Sequence, residues 1–195
     1  MREETGSHRG AQAVVLIGFM GAGKSSVGQA LGERMGWTFE DLDERIERRE
    51  QRKVPDIFRD LGEAVFRRAE HGALKELLSE LRTGGGKIIA LGGGAFVQQN
   101  NVRMIEATRV PTVFLDADAA ELWRRCKKQA ANQGVERPLL GGTLQSFRVL
   151  YEARRPHYLK ASFRQDTVGQ TVEEVVTALV QALRLDRSRE QRGEK

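Results

Sequence analysis

The chain has 195 residues, 30% of them charged, with 32 basic and 27 acidic residues for a formal net charge of +5. That length suits one domain with a full core; no apolar run approaches the roughly eighteen residues of a membrane span, and nothing at the N-terminus resembles a signal peptide, so a soluble, cytoplasmic protein is expected. A lone cysteine, Cys126, excludes an internal disulfide, and basic residues interleaved with acidic ones, as in "DERIERREQRK", argue against a nucleic-acid surface and for small anionic ligands.

Residues 1–11 and 186–195 are polar and are expected to be flexible tails on a single domain spanning 12–185. "AVVLI", Ala13–Ile17, is short, β-branched and apolar, and predicts a buried parallel strand. "GFMGAGKSS", Gly18–Ser26, follows it. A glycine, a four-residue gap and Gly23-Lys24-Ser25 form a phosphate-binding loop: the glycines let successive N–H groups point inward, Lys24 reaches the outer phosphates, and the Ser25 hydroxyl can ligate Mg²⁺. Val27, Ala30, Leu31 and Met35 then predict a helix whose N-terminus adds its own donors and dipole.

A second strand, Thr38–Leu42, delivers "EDLDER". With a strand period of two, Asp41 and Asp43 project to one side about 7 Å apart, where one carboxylate could take a metal-bound water and the other an alcohol's hydrogen bond. An acidic turn with Asp43 as helix N-cap is the plainer alternative. In "VPDIFRDLGEAVFRRAEHGALKELL", residues Phe66, Ala69, Ala73, Leu74, Leu77 and Leu81 form an apolar stripe, which leaves Arg67, Arg68 and Glu70 as a solvated face. "GGGK", Gly84–Lys87, lacks the hydroxyl after its lysine and is a loop. The strand Ile88–Leu91 runs into Gly92, Gly93 and Gly94; three glycines in succession suit close approach of ligand to backbone, or else a flexible turn.

Beyond a strand at Thr112–Leu115, Asp118 is a candidate N-cap with Glu121 three residues on, and Asp116 and Asp118 are structural rather than metal ligands. Arg124 and Arg125 could stack on a purine or lie on a solvated helix face. "CKKQAANQGVERPLLGG", about 126–142, is polar and without sustained periodicity, and predicts a mobile lid carrying Arg137. "YEARRPHY" places Arg154 and Arg155 before a proline, and Thr167–Val168 is the last strand. Strand and helix alternate throughout, which predicts an α/β fold: a three-layer α/β/α sandwich with a five-stranded parallel sheet.

Taken in order, "GFMGAGKS", "DLD", "FRRAE", "LGGG", "RPLL" and "RRPHY" resemble the shikimate kinase family, P-loop proteins similar to nucleoside-monophosphate kinases, over about Val14 to Leu183. The resemblance implies a monomer without nucleic-acid or membrane partners that transfers a phosphoryl group from ATP, with Mg²⁺, to the 3-hydroxyl of shikimate on the way to chorismate. It implies that the loop backbone at Gly21, Ala22, Gly23, Lys24, Ser25 and Ser26 holds the nucleotide phosphates. Lys24 and Arg137 would contact the transferred group, Arg125 would stack on adenine, and Ser25 with Asp41 would hold the metal. Asp43 becomes the candidate base and hydroxyl ligand. Arg67 and Arg154 would hold the carboxylate, Gly92, Gly93 and Gly94 would line the pocket, and Phe58 with Phe66 would form its apolar wall. The segment between "WRRC" and "ERPLL" is longer than is usual in that family, and Leu42 replaces a small polar residue. A gluconate-type kinase shares the loop but has less use for two arginines on one carboxylate, and a silent ligand-binding relative would be free to lose the reactive residues retained here.

Overall fold

The computed structural model describes residues 13–81, 85–133 and 142–185. The apolar run Ala13–Ile17 forms β1, buried at every position, as is β4 (Thr112–Asp116); strands buried on both faces require helices above and below them. With β2 (Thr38–Asp41), β3 (Lys87–Ala90) and β5 (Phe163–Asp166) they make one parallel sheet in the order β2-β3-β1-β4-β5. The chain leaves β1, crosses over to β2 and returns to β3, then resumes with β4 on the other side of β1. Strand order therefore reverses around β1, and the carboxyl ends there open the crevice in which such sheets bind ligands.

Eight helices complete the described residues. After β1 comes α1 (Lys24–Met35), which packs on α8 (Val172–Ala182); α2 (Leu42–Glu50) and α3 (Val54–Leu61) pack on the long α4 (Glu63–Glu80), and α5 (Gln99–Thr108) follows it; α6 (Ala119–Gln133) lies against α7 (Leu144–Tyr158). None of them is long and apolar enough to cross a membrane. The predicted α/β sandwich with five parallel strands is the fold observed.

Three local expectations are corrected. The last strand is Phe163–Asp166, not Thr167–Val168. As an edge strand it is held by backbone pairing to β4 and carries the polar sequence "FRQD", so no apolar run marks it. Thr167 is instead an anchor: its N–H and Oγ1 both donate to the Asp116 carbonyl, at 2.9 and 3.0 Å. The second correction is that β2 stops at Asp41, which caps α2 by accepting from the Asp43 N–H at 2.9 Å; Asp41, not Asp43, is the N-cap, and Leu42 is a buried core residue in the first turn. Third, residues 126–133, expected in the lid, are helical. Leu122, Cys126 and Ala130 recur at the helical spacing and turn one face of α6 into the core, which the polar residues between them masked. Asp118 does cap α6, accepting from the Glu121 N–H at 2.8 Å, while the Glu121 side chain turns to Arg124 and Arg125. Both predicted tails, the remainder of the lid (134–141) and with it Arg137 lie outside the described residues.

Asp116, at the carboxyl end of β4, is structural, as its sequence context implied. It is 4% exposed and accepts from the Tyr151 hydroxyl (3.0 Å), Arg155 Nη2 (3.1 Å) and Arg164 Nε (2.8 Å). Two of these donors belong to α7, so the carboxylate ties that helix to the sheet; Tyr151, buried against it, has its phenol pushed up to about 12.

Candidate active site

The phosphate loop is shaped before any ligand arrives. Gly21 has φ 79°, and a Cβ there would stand 2.7 Å from both Cys126 Sγ and the Leu122 carbonyl, so only glycine fits between the loop and α6. The Ala22 N–H is used inside the loop, donating to the Phe19 carbonyl at 3.3 Å, and the Ala22 side chain is buried. No side chain caps α1 and no acidic residue stands in its first turn, so the N–H groups and dipole of that helix end face an anion's position. Lys24 folds back, its ammonium donating to the carbonyls of Gly18 and Phe19 at 3.0 Å each.

Across the loop, Ser25 Oγ donates to Asp41 Oδ2 at 3.0 Å. A hydroxyl and a carboxylate in contact are hard oxygen donors suited to Mg²⁺, and no group of three His, Cys, Asp or Glu side chains among the described residues makes a closed metal cage. A cation here would complete its shell from phosphate oxygens and water, as Mg²⁺ commonly does. Asp43, the second residue of α2, shares the cleft. Burial, then the neighbouring Asp41, pushes its carboxyl up to about 6 against the pull of Lys24. A carboxylate poised there is mostly ionised at neutral pH, yet basic enough to accept a proton.

Arg67 leaves α4 toward the same cleft. Its Nη1 reaches both oxygens of Glu70 at 3.0 Å and its Nη2 reaches Glu63 at 3.0 Å. Glu70 is 1% exposed, and burial holds its carboxyl above the ordinary value in spite of the guanidinium beside it. Treating Arg67, Arg68 and Glu70 together as a solvated face therefore holds only for Arg68. Phe66, Glu70, Ala73 and Leu77 share one side of the helix, so a register at three- and four-residue steps places Glu70 within the buried stripe and its partner Arg67 three positions earlier.

The glycine run gives these side chains room. A Cβ on Gly92 would overlap the Asp43 carboxylate, and one on Gly94 would stand 2.7 Å from Arg67 Nη1. The loop is pinned from behind by Asn101, buried on α5, whose Nδ2 donates to the Ala95 carbonyl at 3.1 Å while its Oδ1 meets His71 Nδ1 at 2.8 Å. His71 is thus part of the support.

From α7 comes Arg154, its guanidinium 5.7 Å from the centre of the Phe19 ring, while the adjacent Arg155 turns away to Asp116. Phe58 and Phe66 stack with ring centres 4.3 Å apart, and Phe58 stays 38% exposed, an apolar surface open to a ligand. Arg125 is held by Glu121 (2.7 Å), by Thr167 Oγ1 (3.0 Å) and by the Thr167 carbonyl (2.7 Å), which fixes its plane at the cleft edge.

The loop and the side chains that face it line one cleft of about 660 Å³. It gathers every predicted site residue among the described ones except Ala22, which lies beneath the loop. Its lining is of two kinds: the helix N-terminus, Lys24, Ser25 and Arg125 offer donors and positive charge to an anion, and Asp43, Arg67, Arg154, the two phenylalanines and the glycine run combine a base, cations and an apolar surface. An anion-rich donor and a smaller hydroxylated, negatively charged acceptor fit that division.

Comparison with known proteins agrees with the geometry. The shikimate kinase family model matches residues 20–184. The chain is 40% identical over 177 residues to the shikimate kinase of Thermus thermophilus, covering 90% of this chain and 91% of that one. Among solved structures it is similar to shikimate kinase from Aquifex aeolicus, with TM-score 0.75, 33% identity and coverage of 90% of this chain and 98% of the other. It is also similar to the Acinetobacter baumannii shikimate kinase in complex with shikimate, with TM-score 0.77, 28% identity and coverage of 91% and 95%. A gluconokinase from Sinorhizobium meliloti shares the fold alone, at 18% identity and TM-score 0.56 over 96% of this chain and 98% of that one.

Proposed function

The chain belongs to the shikimate kinase family, and from that premise we propose that its cleft transfers the γ-phosphoryl group of ATP to the 3-hydroxyl of shikimate, with the two kinds of lining as donor and acceptor sites. The observation that carries the reading is that Asp43, Arg67 and Arg154 meet within one cleft with the phosphate loop. A cyclic triol carboxylate needs both kinds of group: a base beside the hydroxyl that attacks, and cations for the carboxylate that fixes the ring.

In this account Lys24 exchanges the Gly18 and Phe19 carbonyls for phosphate oxygens, and the first turn of α1 receives the phosphate chain. Asp43 accepts the hydrogen bond of the acceptor hydroxyl, orients it in line with the γ-phosphoryl group and takes up its proton. Glu70 holds Arg67 in a fixed plane, so that the guanidinium meets the carboxylate without first having to be ordered. Ser25 and Asp41 would hold Mg²⁺, which when bound offsets negative charge on the phosphates. Arg137, outside the described residues, is assigned to the transferring group, and Arg125 to the adenine.

Two measurements test the acceptor site. Shikimate methyl ester, which lacks the negative charge, is expected to bind at least about 10-fold more weakly than shikimate by calorimetry, since charge-assisted pairs are the strong ones; equal affinities would remove Arg67 and Arg154 from the carboxylate. Gly94→Ala is expected to displace the Arg67 guanidinium and raise KM for shikimate about 10-fold while leaving KM for ATP within about twofold. A parallel rise in both constants would instead mean that the loop had merely been disrupted.

A further inference from the structure

At the last residue of α7 the side chain of Tyr158 is fully buried, its ring centre 5.3 Å from that of Phe114 on β4, and its hydroxyl donates to the carbonyl of Gly93. The Arg154 guanidinium, one turn earlier on the helix, lies beside the same loop residue and acts electrostatically on that hydroxyl. A Cβ built on Gly93 would stand 3.5 Å from Arg154 Nη1 and 3.8 Å from Tyr158 Oη, so both side chains of α7 converge on this glycine of the strand-end loop. A phenol that gives its one proton to a carbonyl keeps lone pairs to offer a neighbouring cation.

Arg154 differs from its neighbours in how it is held. Arg67 has Glu70 and Glu63, Arg125 has Glu121, and Arg155 has Asp116, whereas no ion pair among the described residues holds Arg154. A long cationic side chain without a carboxylate is costly to order when a ligand arrives. Arg154 lies over the Phe19 ring and beside Gly93, with Glu70 and the Tyr158 hydroxyl acting on it only through space. The Gly93 carbonyl is fixed by Tyr158, and with it the plane of the Gly93–Gly94 peptide, beside which Arg67 is lodged.

We propose that Tyr158 is a positioning residue for the acceptor: by bonding the Gly93 carbonyl and offering its oxygen to the guanidinium beside it, its hydroxyl sets the spacing between Arg154 on α7 and the glycine loop after β3, and so presents a pre-ordered pocket to a small carboxylate. The inference rests on the reading of Arg154 and the glycine run as acceptor contacts. Burial, only partly opposed by Arg154, pushes the phenol up to about 12, so it keeps its proton throughout the neutral range and the effect does not vary with pH there.

The test is Tyr158→Phe, which keeps the ring on Phe114 and removes only the oxygen. Expected are a rise of about 10-fold in KM for shikimate, KM for ATP within about twofold and kcat within about threefold, the pattern of lost ground-state positioning. In an Arg154→Ala background the same substitution should change KM for shikimate by less than about twofold, because the two residues act as one unit. An unchanged KM in Tyr158→Phe, equal rises for both substrates, or full additivity with Arg154→Ala overturns the proposal. If Arg154→Ala itself leaves KM for shikimate unaltered, the acceptor-site reading fails and the proposal falls with it; if Arg154→Ala raises KM and Tyr158→Phe does not, the proposal alone fails. Should Tyr158→Phe not fold, fluorotyrosine labelling serves, since the chain has only two tyrosines. The Tyr158 fluorine resonance, assigned against Tyr151→Phe, should shift on adding shikimate and not on adding ADP, and the absence of a shikimate shift overturns the proposal.

Discussion

Asp43→Asn is expected to lower kcat by about 10²–10³ and, at the same time, to raise the melting temperature at neutral pH. The first effect follows from chemistry: asparagine keeps the shape but neither attracts nor accepts the proton of the attacking hydroxyl, and positioned general bases contribute about this much. The second follows from linkage. The carboxyl titrates at about 6 in the folded protein against an ordinary value of 3.8, because it is buried beside Asp41. The folded state therefore holds the proton more tightly than the unfolded chain does. Stability falls as pH rises from about 4 through about 6, and at pH 7.5 the full penalty, at most about 3 kcal/mol, is in place. Asparagine removes that penalty, so the variant should melt higher at pH 7.5, with the gap closing by about pH 4. Thermal melts at the two pH values, beside steady-state kinetics, check both halves. A variant that keeps a tenth of the wild-type turnover, or that melts lower at pH 7.5, contradicts the role given to Asp43.

Arg67→Ala is expected to act on affinity and stability together, but by separable routes. Loss of the guanidinium should raise KM for shikimate about 100-fold with KM for ATP nearly unchanged, since Arg67 is one of the two arginines proposed to hold the acceptor's carboxylate. It also leaves Glu70, 1% exposed, as a buried carboxylate whose hydrogen-bonded ion-pair partner is gone. Breaking such a pair by removing one member costs about 3–5 kcal/mol, less whatever Glu70 recovers by taking up a proton. Removing the second member as well, in Arg67→Ala/Glu70→Ala, should restore much of the stability in urea unfolding and none of the affinity. If the double variant also regains shikimate binding, Arg67 is not a substrate contact and its place in the account is lost.

Much of the site was legible because its chemistry demands particular residue types. Gly21, Gly23, Lys24 and Ser25 can be recognised one by one: the bend, the charge and the hydroxyl each have few substitutes. Asp43 was found for a reason only half right. Strand periodicity put it beside Asp41, whereas the chain turns into α2 at Leu42 and the capping bond from Asp41 brings the two carboxylates into one cleft. The glycine run was read as a place of close approach, and the partners it admits turned out to be the protein's own Asp43 and Arg67. What escaped was decided by long-range burial. Glu70 reads as surface in any scale of polarity, and only its register within the α4 stripe betrays it. The first half of the presumed lid reads as loop until Cys126 is seen against Gly21. β5 carries no apolar signal because it is held through its backbone to β4. Tyr158 carries no local signal, since nothing in its sequence neighbourhood indicates that its hydroxyl meets a loop 65 residues away.

The central claim, that the part of the cleft lined by Asp43, Arg67 and Arg154 accepts shikimate, is tested most directly by a substrate panel. With ATP and Mg²⁺, ADP release is followed with shikimate, gluconate and a nucleoside monophosphate as acceptors, and the product from shikimate is identified by phosphorus NMR. The account predicts turnover on shikimate at least about 100-fold above either alternative, with the new phosphate ester on the 3-hydroxyl, because neither alternative offers a ring carboxylate to the two arginines. Comparable turnover on gluconate, or phosphorylation at another hydroxyl of shikimate, would contradict it.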